Sequence, residues 1–199
     1  MVQAANAALR RLPVWPLYPL GLSPAAWLWY LGFTGALGAE PIKALERELG
    51  LIGLQILLAT LAVTPLRQLT GLSLLRFRRA LGLLCFFYIA QHLLVWLVLD
   101  LGDLSLIAAD LVKRPYVIVG MLGFAAMVPL AATSSDHAIR RLGAARWRRL
   151  HRLAYAVAVL GVLHFAILVK GFPLEPLAYG LALAVILGLR ALPGRRMKA

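Results

Sequence analysis

The sequence predicts an all-α protein, a polytopic membrane bundle of about six transmembrane helices with both termini in the cytoplasm. Hydrophobic residues make up 62% of the 199 residues, whereas soluble domains are roughly 45–50% apolar. The apolar stretches are continuous and do not alternate with polar residues, which favours helices over a barrel. Basic residues are concentrated in every second loop, which gives the bundle a predicted orientation.

Six apolar stretches are long enough to be predicted as spans. They cover roughly Val14–Leu37, Leu49–Leu66, Leu81–Leu99, Tyr116–Ala132, Leu153–Val169 and Leu177–Leu192. The first is the least regular because four prolines lie near its start, so we expect a bent or partly interfacial segment there. A signal peptide is the alternative, since Arg10 and Arg11 precede this stretch. The spans occupy most of the chain, so residues 1–199 are predicted to form a single transmembrane domain whose partner enzyme is another chain.

The distribution of charge predicts the orientation of the spans. The N-terminus, the second loop, the fourth loop and the C-terminus together hold 16 of the 21 basic residues, and the other three loops hold seven of the eight acidic ones. This alternation predicts six spans with both termini in the cytoplasm. It also explains the net charge of +13 without a nucleic-acid partner, and we expect the basic loops to contact membrane lipid.

Two histidines lie deep inside separate apolar stretches, His92 in the third span and His164 in the fifth. An ionisable side chain in hydrocarbon is costly, so each is a candidate functional residue. In the predicted topology these two spans run in the same direction. His92 lies about seven residues and His164 about five residues below the outer end, so at about 1.5 Å per residue their depths differ by only a few Å. Two imidazoles at one depth are what a membrane-bound haem b needs as iron ligands.

A third histidine, His151, begins the fifth span at the cytoplasmic boundary. It precedes His164 by 13 residues, which is roughly 20 Å along a helix and suits a second, inner haem. The equivalent positions on the third span are Arg78 and Arg79 instead of histidine. Arginine is a poor iron ligand but a good partner for a haem propionate or a flavin phosphate. His151 is therefore predicted either as an inner cofactor residue or as an interfacial histidine.

The only cysteine, Cys85, lies in an apolar run. A single cysteine excludes an internal disulfide, a cysteine-rich zinc site and an iron–sulfur cluster. We interpret it as a small buried hydrophobic residue.

Seven stretches in the same order resemble a known family. They are LGAEPIK (Leu37–Lys43), LLATLAVTPLR (Leu57–Arg67), RRALGLLCFFYIAQH (Arg78–His92), KRPYVIVG (Lys113–Gly120), LAATSS (Leu130–Ser135), RRLGAARWRRLHRLAY (Arg140–Tyr155) and VLHF (Val162–Phe165). The chain resembles the haem-binding membrane subunits of the bacterial periplasmic methionine sulfoxide reductase system, within the ferric-reductase-like transmembrane group.

The resemblance implies a six-span b-type cytochrome of the bacterial inner membrane, without an active site of its own. Its haem histidines would be His92, His151 and His164, holding one haem b or two, and FMN is also associated with the family. Electrons would come from a quinol or a cytoplasmic flavin reductase. They would pass to a periplasmic molybdopterin-containing subunit that reduces methionine sulfoxide in oxidised envelope proteins. The fused flavin and nicotinamide domains of larger ferric reductases are missing from this chain, as is the fourth haem histidine, at Arg78 or Arg79.

Two alternatives remain open from the sequence. One is a related haem protein with another electron acceptor, such as ferric iron. The other is a cofactor-free transporter or scaffold, in which the histidines hydrogen-bond neighbouring helices.

Overall fold

The computed structural model describes residues 1–169 and 174–192, which contain helices and turns but no strand. The helices are α1 (Val2–Arg11), α2 (Leu17–Phe33), α3 (Pro41–Thr70), α4 (Arg78–Leu94), α5 (Leu104–Lys113), α6 (Pro115–Ala132), α7 (Asp136–Leu142), α8 (Ala144–Leu150), α9 (Leu153–Leu168) and α10 (Leu174–Ala191). A short 3₁₀ turn, Leu75–Phe77, precedes α4, and a π-helical segment, Val95–Leu101, continues it. The predicted all-α class is confirmed.

Five of the predicted spans coincide with helices long and apolar enough to cross a membrane. These segments are Pro41–Thr70, Leu75–Leu101, Pro115–Ala132, Ala144–Leu168 and Leu174–Ala191. The first predicted span, Val14–Leu37, is a shorter helix, α2, of 17 residues. At about 1.5 Å per residue it is roughly 26 Å long, slightly less than the roughly 30 Å of a hydrocarbon core. A membrane crossing by α2, and the cytoplasmic location of both termini, stay predictions.

A proline interrupts the hydrogen-bond ladder of α2, and a tyrosine from α4 fills the gap. Pro24 has no N–H to donate to Leu20, whose carbonyl accepts a hydrogen bond from Ser23 instead. One residue further on, the Tyr88 hydroxyl donates to the carbonyl of Gly21 at 2.7 Å and accepts from the N–H of Ala25 at 3.1 Å. Tyr88 is fully buried, so this insertion fixes α2 against α4.

Two helix pairs surround the middle of the bundle, α3 with α4 and α6 with α9. Where the four meet, the buried side chains Cys85, Met127 and Val157 pack together. The predicted interpretation of Cys85 is confirmed, because it is 1% exposed and its thiol reaches the carbonyl of Gly53 at 3.3 Å. The same helices expose large apolar side chains such as Leu122 and Val159, as lipid-facing surfaces do.

The N-terminal helix α1 is attached to the loop between α3 and α4. The Asn6 side chain donates to the carbonyl of Gly71 at 2.9 Å and accepts from the N–H of Ser73 at 2.8 Å. Arg76 donates to the carbonyl of Leu9 at 2.9 Å. These contacts attach α1 to the segment that precedes α4.

Candidate functional site

The two intramembrane histidines face each other across the bundle. His92 on α4 and His164 on α9 have ring centroids 6.2 Å apart, and the ring planes are nearly perpendicular, at 83°. Metal–imidazole bonds are about 2 Å long, as the values for zinc show. One metal atom bound by both rings would account for about 4 Å of the separation, and the remainder is the distance from each nitrogen to the centre of its own ring. The gap therefore suits a single metal atom between the two side chains.

Each histidine is oriented by a backbone carbonyl of the helix beside it. His92 Nδ1 lies 2.8 Å from the carbonyl oxygen of Glu46, and His164 Nδ1 lies 2.7 Å from that of Tyr116. A carbonyl oxygen only accepts hydrogen bonds, so each Nδ1 carries the proton and donates. In a neutral ring this leaves Nε2 with a free lone pair, which is the tautomer that binds a metal.

A glycine makes room for each of these hydrogen bonds. Gly50 lies one helical turn after Glu46, and a Cβ atom there would be 3.0 Å from His92 Nδ1. Gly120 lies one turn after Tyr116, and a Cβ atom there would be 2.9 Å from His164 Nδ1. The same arrangement of carbonyl, glycine and imidazole thus occurs twice, on α3 with α4 and on α6 with α9. It holds both rings tightly against helix backbones.

A cavity of about 640 Å³ surrounds the two rings; it is called the outer cavity after the predicted orientation of the bundle. Such a volume is typical of cofactor sites. Its lining is mainly apolar, with four cations at one end: Lys43, Arg47, Lys113 and Arg114. Trp96 also lines the cavity and donates to Asp110 at 3.2 Å. Asp110 is only 7% exposed and also pairs with Arg114 at 3.0 Å, so its buried charge is compensated.

A second, inner cavity of about 790 Å³ contains the other predicted site residues, His151, Arg78 and Arg79. Leu57, Met127 and Val157 line both cavities and form the wall between them. The structure therefore separates His151 from the pair His92 and His164, and places it with the two arginines, as the spacing along the chain predicts.

His151 has a different environment from the other two histidines. Its ring stacks on Trp147 with centroids 3.9 Å apart, and its Nε2 lies 3.1 Å from the hydroxyl of Thr133. The Thr133 hydroxyl donates its only hydrogen to the carbonyl of Pro129, so the hydrogen-bond network assigns the proton of this contact to Nε2 of His151. In this arrangement Nε2 of His151 is occupied, whereas Nε2 of His92 and of His164 has no hydrogen-bond partner within residues 1–169 and 174–192.

Several residues of the two cavities have no signal in the sequence. The carbonyls of Glu46 and Tyr116, and the glycines that follow them, are recognisable only once the helices are packed. Arg190, counted in the sequence as one more cytoplasmic charge, is a lining residue of the inner cavity. In residues 1–169 and 174–192 no group of three or more histidine, cysteine, aspartate or glutamate side chains could hold a metal ion. The described side chains thus offer a metal two imidazoles and no larger ligand set.

The fold and the site define the class of protein. It is a polytopic membrane protein whose helices hold two opposed imidazoles in an apolar cavity. Within that class, residues 48–162 match the family described as ferric reductase like transmembrane component. The chain belongs to this family, and it is a multi-pass membrane protein.

Curated relatives share this similarity over most of their length. The protein-methionine-sulfoxide reductase heme-binding subunits MsrQ of Brucella ovis, Brucella suis and Brucella melitensis are each 49% identical to this chain over 175 residues. The aligned region covers 87% of this chain and 79% of each relative. No solved structure matches the chain.

Proposed function

We propose that this protein is a membrane electron-transfer subunit that holds haem b between His92 and His164 and serves a methionine sulfoxide reductase. The observation that carries the proposal is the pair of free Nε2 atoms, which belong to rings 6.2 Å apart in an apolar cavity. The names of the Brucella relatives, which are heme-binding subunits of that reductase system, support it.

The residues of the outer cavity fit a haem. The carbonyls of Glu46 and Tyr116 fix the tautomer of each ligand and increase its basicity. The cations at the outer end of the cavity suit the carboxylates of the haem propionates. When bound, haem iron supplies reversible one-electron chemistry between its ferric and ferrous states. The apolar lining limits the access of water, which is one means by which a protein sets the potential of such a group.

The inner cavity is the proposed place of electron uptake. It lies next to the arginine-rich segments that the positive-inside pattern assigns to the cytoplasm. We propose that His151, Arg78 and Arg79 contact a second cofactor there, either an inner haem or FMN. The donor would be a quinol or a cytoplasmic flavin reductase. The wall of Leu57, Met127 and Val157 is shared by both cavities, so electrons need to cross only one layer of side chains.

The proposed acceptor is a periplasmic molybdopterin-containing methionine sulfoxide reductase at the outer face of the bacterial inner membrane. Ferric iron is the second candidate acceptor, because the family that matches residues 48–162 is described by its likeness to ferric reductases. The two are distinguished by adding the purified reductase subunit or ferric citrate to the reduced protein and measuring which one reoxidises it.

Histidine variants test the haem site. We expect His92→Ala and His164→Ala each to abolish the low-spin haem spectrum of the purified protein. His137→Ala is the matched control, since His137 is exposed on α7 and lies outside both cavities. A full bis-histidine spectrum in either of the first two variants would contradict the assignment, and a colourless parent protein would favour a cofactor-free transporter or scaffold.

A further inference from the structure

Arg190 extends from α10 into the inner cavity, although α10 lies outside the residues that match the family. Its guanidinium donates to the carbonyl of Leu61 at 2.6 Å and to the hydroxyl of Thr64 at 3.1 Å. It also lies over the ring of Tyr155, 5.2 Å from the centroid. Three contacts from two other helices therefore hold a side chain that the sequence alone presents as a terminal surface charge.

The carbonyl that Arg190 contacts is made available by a proline. In an α-helix the carbonyl of Leu61 would accept a hydrogen bond from the N–H of residue 65. Residue 65 is Pro65, which has no N–H. A buried carbonyl without a partner is costly, and Arg190 supplies the missing donor. The guanidinium is thus fixed by the backbone of α3 and positioned independently of any ligand.

The contacts of Arg190 leave one of its donors unused. Nε is buried and has no hydrogen-bond partner within the described part of the chain. A buried donor without a partner costs free energy unless something else accepts its hydrogen bond. Because Arg190 lines the inner cavity, a ligand in that cavity is the natural source of an acceptor.

The positive charge around the inner cavity also favours the binding of an anion. Its lining includes the five arginines Arg78, Arg79, Arg148, Arg152 and Arg190 and, among the described residues, no aspartate or glutamate. Among residues 1–169 and 174–192, only Arg79 of these five has a carboxylate partner, Asp136. At the outer cavity, by contrast, Lys43, Arg47 and Arg114 each pair with an acid. The lining of the outer cavity also includes the acids Glu46 and Asp100, so the excess of cations is larger at the inner cavity. Uncompensated positive charge beside hydrocarbon is unfavourable.

We propose that Arg190 binds the anionic arm, a phosphate or a carboxylate, of a cofactor in the inner cavity, so that α10 is part of the cofactor site. The inference rests on the proposed function, because it takes the inner cavity as a cofactor site. Arginine suits this role since its planar fork matches both carboxylate and phosphate oxygens. Two cofactors share this chemistry: FMN through its phosphate and haem through its propionates.

Binding of charged and neutral analogues tests the proposal. Full-length protein with its outer haem in place is reconstituted in nanodiscs and titrated with FMN, riboflavin, haem b and haem dimethyl ester. We expect one charged probe to bind more tightly than its neutral counterpart, and Arg190→Gln to reduce that preference about tenfold to a hundredfold, as loss of a charge-assisted hydrogen bond does. Arg67→Gln is the matched control, because Arg67 is exposed at the end of α3 and lies outside the inner cavity.

The outcomes distinguish FMN from haem as the cofactor, and they distinguish failure of this inference from failure of the proposed function. Loss of the FMN preference identifies a phosphate, and loss of the haem preference identifies a carboxylate. The inference is overturned if the parent protein binds neither charged probe more tightly, or if the preference survives in Arg190→Gln. The spectrum of the outer haem reports folding, and Arg190→Met provides a second neutral variant if the glutamine variant is unstable. Loss of the outer haem in both variants would show that Arg190 acts on the fold, whereas absence of outer haem in the parent protein would refute the proposed function instead.

Discussion

Replacing Gly120 by alanine should displace one of the two proposed haem ligands while leaving the bundle folded. A Cβ atom at this position would lie 2.9 Å from His164 Nδ1 and 3.0 Å from its Cε1. Carbon atoms in favourable contact are about 3.5–4.0 Å apart, so the ring has to move by about half an ångström or more. The ring cannot move freely, because its Nδ1 is held by the carbonyl of Tyr116 at 2.7 Å.

The expected size of the effect follows from two opposing contributions. Overpacking of this kind costs about 1–3 kcal/mol, and alanine in a helix interior gains about 0.8–1.0 kcal/mol over glycine. The haem-free protein should therefore lose at most about 2 kcal/mol of stability. Haem binding has no such compensation, since a ligand displaced by about 0.5 Å no longer has its productive geometry. We expect affinity for haem to fall about fivefold to a hundredfold.

The assay combines the haem-to-protein ratio, the low-spin optical spectrum and thermal melting of the haem-free protein. Gly50→Ala should behave similarly but more mildly, because its Cβ would lie 3.0 and 3.2 Å from the ring atoms of His92. Gly188→Ala is the control, since nothing lies within 4 Å of a Cβ there. Full haem content with an unchanged spectrum in Gly120→Ala would refute the reasoning that this glycine sets the position of the histidine.

Three further predictions follow from other parts of the molecule. His151→Ala should slow reduction from the cytoplasmic side and leave the outer haem spectrum intact, as measured by reduction rate and haem per protein; loss of all haem would make His151 a ligand of the outer site. Reporter fusions at residue 199 and near Asp103 should report opposite sides of the membrane, and a shared side would remove one span. The hydrogen bond from Arg79 lowers the pKa of Asp136 below its usual value. The ion pair therefore stabilises the protein at pH values above the ordinary aspartate pKa. This stabilisation is lost as the pH falls through the lowered pKa of Asp136. Asp136→Asn should therefore reduce the loss of thermal stability below about pH 4, and an unchanged acid profile would show that this exposed pair contributes nothing measurable.

The predicted helix bounds agree best with the structure where an apolar stretch borders directly on charged or polar residues. The predicted span Leu153–Val169 differs from α9 by one residue, and Tyr116–Ala132 differs from α6 by one. In contrast, α3 begins at Pro41, eight residues before the predicted Leu49. Hydropathy locates the part of a helix that lies in hydrocarbon, but the hydrogen bonds of α3 continue through its charged first turns. At α2 the difference is reversed: the predicted span Val14–Leu37 extends beyond the helix Leu17–Phe33 at both ends. The turns that flank this helix are apolar but not helical.

The pairing of the histidines was predictable, whereas the residues that orient them were not. Depth in the membrane depends only on the rise per residue, so two positions on co-oriented spans can be compared from the sequence. Lateral contacts depend on which helices are neighbours in the bundle, and the local sequence of a helix does not indicate its neighbours. The bond from His92 to Glu46 joins residues 46 positions apart, and the bond from Arg190 to Leu61 joins residues 129 apart. Both acceptors are backbone carbonyls, which every residue possesses, so the residue type of the partner gives no indication either.

The two prolines inside α2 and α3 have a consequence for the vertical alignment of the bundle. Apolar side chains make nearly equivalent contacts with lipid and with one another, so helices in hydrocarbon gain little from any particular height. Beside Pro24, the backbone groups of Gly21 and Ala25 bond the Tyr88 hydroxyl, and at Pro65 the freed carbonyl of Leu61 accepts from Arg190. Each of these openings occurs on one turn of its helix only, so the polar side chain cannot be satisfied one turn higher or lower. His92 follows Tyr88 by one turn on α4. Residues that weaken each helix in isolation thus set the heights of α2 against α4 and of α10 against α3.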